Sequence, residues 1–228
     1  MEKRMTTLVI LALLLLPLSL QTFGAKKITV KTIPENATIF VDGQPVGEGV
    51  YTVKFEKGND FYIITAFAPG YIGKRYRLLK SNPDKTVVIR LNEDEALLAS
   101  TGSENGAELA NTWMDITCRK GMTEDQVWKR LMNIATSYFS NIEVRDKAAG
   151  WIKTNWKPTK FTDQTVRTRL EIRMSFTGDD VITYRARIVS EIKDNDCNSK
   201  NCYESYDRIL KIFEPMIEEL QTSVGGGE

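Results

Sequence analysis

Ile33-Pro34-Glu35-Asn36-Ala37-Thr38-Ile39-Phe40-Val41-Asp42-Gly43-Gln44-Pro45-Val46-Gly47 places a strand signal between two turn signals. Pro34 and Asn36 punctuate its start and Asp42-Gly43 its end. Between them Ala37, Ile39 and Val41 alternate with Thr38 and Phe40, the period of a half-buried strand. The neighbouring sequence continues the pattern. Ile28 to Ile33, Ala37 to Val41, Val50 to Phe55, Phe61 to Phe67, Arg75 to Leu79 and Thr86 to Leu91 are short runs rich in Val, Ile, Tyr, Phe and Thr. Gly43, Gly47-Glu48-Gly49, Lys57-Gly58-Asn59, Pro69-Gly70 and Asn82-Pro83-Asp84 separate them. About six or seven strands at this spacing predict an all-β sandwich over residues 25–92.

Within that sandwich Pro34-Glu35-Asn36-Ala37, the following Val-Asp-Gly and Val-Gly steps, and Ala68-Pro69-Gly70-Tyr71 resemble the motif of the PEGA domain family. The resemblance covers roughly residues 27 to 92. Asn stands where the family has Gly, and Asn is the residue next most willing to take a positive φ. The resemblance implies a small β-sandwich module of envelope and surface proteins and implies no enzyme activity. Tyr71 has two readings, an aromatic that stacks on a ligand or a ring packed over a turn.

Residues 1–24 read as a secretory signal peptide. Lys3 and Arg4 precede an apolar run from Leu8 to Leu20, short for a membrane span, and Thr22-Phe23-Gly24 places small residues at a cleavage position. No Cys precedes Cys118, so lipidation at that site is not expected. The mature chain is expected to be exported, periplasmic or extracellular, without stable membrane insertion. The formal net charge is +1, and removing Glu2, Lys3 and Arg4 leaves equal numbers of acidic and basic side chains. Nothing in that balance points to nucleic acid.

From Asn92 the alternation stops. Asn92-Glu93-Asp94-Glu95 and Thr101-Gly102-Ser103-Glu104-Asn105-Gly106 are acidic, small and aperiodic, so residues 93–110 are expected to be a mobile linker. Residues 111–224 are expected to form a second domain. Thr112 to Arg119 is strand-like, and Thr123-Glu124-Asp125-Gln126 is a capping box opening a helix to about Phe139. Val127, Trp128, Leu131, Ile134, Ala135 and Tyr138 make its apolar stripe. Strands are expected at Ile142 to Asp146, Trp151 to Trp156, Thr165 to Phe176 and Val181 to Lys193. Tyr203 to Thr222 is expected to close the chain as an amphipathic helix, kinked or broken near Lys211 by Pro215. Residues 225–228 are expected to be a flexible tail. This pattern predicts an α+β domain, an antiparallel sheet with two helices on one side. Its layout is similar to helix-grip domains, a family that implies either an apolar ligand cup or an assembly module.

The two long strands carry the most informative pattern. Leu170, Ile172, Met174 and Phe176 alternate with Arg167, Arg169, Glu171 and Arg173; Ile182, Tyr184, Ala186 and Ile188 alternate with Arg185, Arg187 and Glu191. The register that keeps each face of one kind sets Glu171 opposite Arg187, Arg167 opposite Glu191 and Arg173 opposite Arg185. Arg169, Arg173, Arg185 and Arg187, with Trp151 or Trp156 beside them, are therefore the candidate binding residues, suited to an acidic protein segment, a phosphate or a carboxylate-bearing glycan. The plainer reading is a solvated face on which nearby acids neutralise the arginines. Trp151 and Trp156, five apart, are expected on opposite faces of a regular strand.

Cys197 and Cys202 flank a turn-like tetrapeptide, and in an exported chain they are expected to pair. Closing so short a loop contributes roughly 2 kcal/mol in the chain-entropy model, less any strain. Cys118 is expected to be a buried strand residue. The chain has no histidine, which removes Ser-His-Asp and Cys-His catalysis and His-ligated metals, and no phosphate-cradling loop. No metal or cofactor and no enzyme activity are expected. The functional expectation is a non-enzymatic interaction module of the cell envelope whose partner is an envelope protein or glycan. The alternative is a carrier or sensor that encloses a small apolar ligand between sheet and helix.

Overall fold

Val41 and Gln44 pair across Asp42-Gly43, and both turn residues take positive φ, 48° and 83°. Such a turn matches the twist of the strands it joins, which is why Asp-Gly is favoured there. The hairpin's second strand, Gln44–Glu48, was legible only as turn residues, because Pro45 and Gly47 are poor strand formers. A computed structural model describes residues 25–102, 110–177, 182–199 and 201–224. The expected signal peptide (1–24), part of the expected linker (103–109), the expected turn between the two long strands (178–181) and the expected tail (225–228) lie outside the described residues. The chain is β-rich and divides into two compact units, Met1–Asn92 and Glu93–Glu228.

The first unit has seven strands: β1 (Lys27–Ile33), β2 (Thr38–Val41), β3 (Gln44–Glu48), β4 (Val50–Lys54), β5 (Phe61–Phe67), β6 (Lys74–Leu79) and β7 (Thr86–Arg90). One sheet runs β4-β1-β7, with β1 and β7 parallel; the other runs β3-β2-β5-β6, all antiparallel. Ile28, Val30, Val53 and Ile89 from the first sheet meet Ile39, Ile64, Ala66 and Leu78 from the second in one buried cluster. Each of the large aliphatics contributes on the order of 1.5–3 kcal/mol by leaving water. Pro34 to Ala37 forms a turn closed by Ala37 N–H to the Pro34 carbonyl, 3.2 Å. Asn36 does not use the positive φ expected of it; among described non-glycine residues only Asp42 and Asn111 do. The glycine that this turn requires is Gly49 instead. It has a φ of 69°, and a Cβ there would lie 2.4 Å from the Glu35 carbonyl oxygen.

The second unit comprises α1 (Glu95–Leu98), β8 (Ser100–Thr101), β9 (Met114–Thr117), α2 (Glu124–Tyr138), β10 (Ile142–Asp146), β11 (Trp151–Thr154), β12 (Lys157–Lys160), β13 (Gln164–Thr177), β14 (Ile182–Asp194), β15 (Glu204–Ser205), β16 (Ile209–Leu210) and α3 (Glu214–Glu219). A seven-stranded antiparallel sheet runs β10-β11-β13-β14-β15, with β12 also on β13 and β9 also on β14. The capping box at Thr123 and Gln126 opens α2. Val127, Trp128, Leu131, Ile134 and Ala135 then pack against Ile152, Leu170, Ile172, Tyr184, Ala186 and Ile188 of the sheet. These side chains form one buried apolar cluster. The Tyr184 hydroxyl is fully buried there and, like the Thr168 and Ser190 hydroxyls, has no hydrogen-bond partner among the described residues; burial pushes its pKa up to about 12.

Two expectations need correction here. Residues 93–102 are not a mobile linker: Asp94 caps α1, Glu95 accepts hydrogen bonds from Thr162 at 2.8 and 2.9 Å, and β8 pairs with β16. The segment reads as linker because the partners of Glu95 and β8 lie more than 60 residues away. Nor is 203–222 one helix. Tyr203 to Leu210 is mostly extended, pairing with β14 and β8. A 3-10 turn over Lys211–Phe213 leads into α3, and Pro215 sits in its first turn, where a missing N–H costs nothing. A wider turn, Leu220–Val224, ends the described chain.

Candidate functional site

The site is the outward face of the second unit's sheet. β13 and β14 pair with Glu171 opposite Arg187, Arg167 opposite Glu191 and Arg173 opposite Arg185, until a one-residue bulge past Met174. This is the register that burial demands. Alternation then sends Leu170, Ile172, Tyr184, Ala186 and Ile188 inward and the odd-numbered charged residues outward.

Three tryptophans join them. Trp151 lies opposite Arg173, and the Arg173 guanidinium stands 4.7 Å from its ring centre. Trp156 was expected on the other face, but the strand is broken. Four steps from Lys153 to Lys157 match three from Glu171 to Thr168, so one extra residue returns Trp156 to the face of Trp151. At that bulge the Leu170 N–H donates to Thr154 Oγ1 at 2.9 Å in place of a ladder bond. Arg167 and Arg169 each stand 4.3 Å over Trp156, and Arg167 stands 3.8 Å over Tyr203 as well. Trp113, just before β9, lies under Arg185 and Arg187 at 5.0 and 4.6 Å. Cation and aromatic thus alternate over the sheet, each contact worth about 0.5–2 kcal/mol depending on desolvation.

Ion pairs cover part of this face. Glu171, nearly buried, accepts from Arg187 Nε and Nη2 at 2.9 and 2.7 Å and pairs with Arg169 Nη2 at 2.9 Å. Arg167 Nε donates to Glu191 at 2.6 Å, and Lys153 pairs with Glu143 at 2.7 Å. Arg173 and Arg185 are exposed and make no ion pair among the described residues, although Asp115 lies opposite Arg185 on β9. Two further donors, Trp151 Nε1 and Arg169 Nε, are buried without a hydrogen-bond partner.

Of the sequence candidates, Arg169, Arg173, Arg185, Arg187, Trp151 and Trp156 are therefore brought together. Tyr71 is not: it belongs to the first unit and packs against that core. Sequence reasoning missed Trp113 and Tyr203, and put Arg167 on the face only as a partner of Glu191. Trp113 lacks a local signal because β9 docks on β14 across some 70 residues, and Tyr203 was hidden in an expected helix.

The Cys197–Cys202 disulfide closes the loop after β14, with Cα atoms 6.0 Å apart. Cys118 is buried just past β9, and burial pushes its thiol up to about 11. Among the described residues no group of three or more metal-ligating side chains assembles, and no helix is long and apolar enough to cross a membrane. No family model and no curated protein matches the chain.

Proposed function

We propose that the protein is an exported, non-enzymatic interaction module of the cell envelope. In this reading a PEGA-like β-sandwich is followed by an α+β domain of helix-grip layout, and the domain's arginine-tryptophan face is the binding surface for an envelope protein or glycan. The observation that carries it is the makeup of that face. Five arginines and Lys153 stand among Asp115, Glu143, Glu171 and Glu191, the arginines set against three tryptophans, and the two most exposed arginines have no ion-pair partner among the described residues. A face serving only as solvated surface gains little from ordered aromatics, which interfaces favour. The absence of histidine in the sequence supports the non-enzymatic side. The alternative is a carrier or sensor that encloses a small apolar ligand between the sheet and α2, whose facing residues form one buried apolar cluster.

The test is crosslinking in intact cells, then purification and mass spectrometry, on the wild type and on Arg173→Glu, Arg185→Glu. Capture of one envelope protein by the wild type and its loss in the variant is the expected result. Identical capture by both would move the interface off this face.

A further inference from the structure

We propose that Arg173 and Arg185 form a clamp for a carboxylate presented by an acidic polypeptide segment. The proposal rests on the reading of this face as an interface and names what it binds. Its starting point is that the sheet already contains one such clamp. In the row that crosses Lys153, Glu171 and Arg187, the Glu171 carboxylate is held by two guanidinium groups, Arg187 directly opposite and Arg169 two residues along β13. The adjacent row crosses Trp151, Arg173, Arg185 and Asp115. It sets two arginines directly opposite each other, each resting on the tryptophan at its own outer side, and neither makes an ion pair among the described residues. Like charges directly opposite destabilise a strand pair, so an anion entering there relieves a repulsion built into the register.

The surroundings shape the entry. Trp151 and Trp113 lie against Arg173 and Arg185 at 4.7 and 5.0 Å, on opposite sides of the pair. Stacking occupies the flat side of a guanidinium and leaves its N–H edges for a planar, two-oxygen acceptor. Both arginines are exposed, so the anion comes from outside the sheet. Asp115, Glu171 and Glu191 give the face mixed sign. A rigid anionic glycan or a flat lipid surface holds its further charges against those acids, whereas a flexible polypeptide can turn its other side chains away from them. A polypeptide places one carboxylate at one point. Successive rows lie two residues apart, about 6.6–6.8 Å, the spacing of alternate side chains on an extended peptide. A carboxylate between Arg173 and Arg185 therefore sets the next outward side chain of its own segment over the neighbouring row and Trp113.

The experiment titrates the purified full chain with a ten-residue oligoglutamate, following tryptophan emission and heat. Oligoglutamine, inorganic phosphate and polygalacturonate serve as comparison ligands. Oligoglutamate is expected to bind, oligoglutamine not, and Arg173→Gln, Arg185→Gln to weaken binding about tenfold or more. Lys120→Gln, Lys129→Gln, which removes equal charge on and beside α2, is expected to leave it within about twofold, screened as remote surface charge is. An unchanged near-ultraviolet circular dichroism spectrum would show that the arginine variant is folded. Undiminished binding in that variant overturns the clamp. Arg167→Gln, Arg169→Gln then decides the broader reading, because loss there keeps the face as the interface and retention removes it. Tighter binding of phosphate or polygalacturonate than of oligoglutamate overturns the polypeptide partner, and no binding of oligoglutamate overturns the proposal while leaving the cellular capture to judge the face.

Discussion

Replacing Glu171 with Gln keeps the shape of the side chain and removes its charge. Glu171 is 5% exposed at its side chain, while Arg169 and Arg187 are 19% and 32% exposed. The variant leaves two partly desolvated guanidinium groups that shared three short contacts with one carboxylate. Removing one partner of a buried pair costs about 3–5 kcal/mol. Arg187 keeps a third of its exposure, and both arginines keep their tryptophans, so the low end applies, about 3 kcal/mol. For a unit of this size that corresponds to a fall in Tm of roughly 10 °C. All four tryptophans, Trp113, Trp128, Trp151 and Trp156, lie in the second unit, so urea unfolding followed by tryptophan emission reports that unit alone. Glu171→Gln, Arg187→Gln is expected to recover about 1–2 kcal/mol of the loss, since one uncompensated charge is gone. A single-variant loss under about 0.5 kcal/mol would refute the reasoning, because water would then be solvating both arginines without help.

Four further outcomes are expected. At pH 8 the Cys118 thiolate fraction is about 0.1%, so a maleimide should label the folded chain at least a hundredfold more slowly than the urea-unfolded chain. Because the folded thiol's pKa rises from 9.0 to about 11, the stability it contributes is complete below pH 9 and falls away as pH climbs to 11; Cys118→Ser should flatten that part of a urea-midpoint profile. Tyr184→Phe deletes a buried hydroxyl that has no partner, so stability should stay level or gain up to about 1 kcal/mol, and a loss above about 2 kcal/mol in urea would contradict it. Gly49→Ala should cost the first unit about 1–3 kcal/mol, seen as an earlier tyrosine-monitored transition, because its Cβ meets the Glu35 carbonyl at a backbone angle that favours glycine; an unchanged midpoint would mean the turn moves freely.

Short-range chemistry was legible in the chain. The Asp42-Gly43 turn, the Thr123 capping box, the stripe on α2 and the pairing of Cys197 with Cys202 all depend on residues within a few positions of one another. The register of β13 on β14 was legible too, because a one-residue slip would turn arginines into the core. Residues that act through distant partners were not. Glu95 and Ser100 looked like linker until Thr162, Tyr206 and Arg208 were found beside them at 2.8 Å. Tyr203 to Leu210 has helical spacing but gains its backbone partners from β14 and β8, and strand pairing overrides local propensity. Trp156 reaches the arginine face only through a bulge that no periodicity announces. The chain alone therefore determined which residues are outward and cationic. Tertiary structure decided which tryptophans stand beside them and which two arginines have no counter-charge among the described residues, since both depend on contacts between strands far apart in sequence.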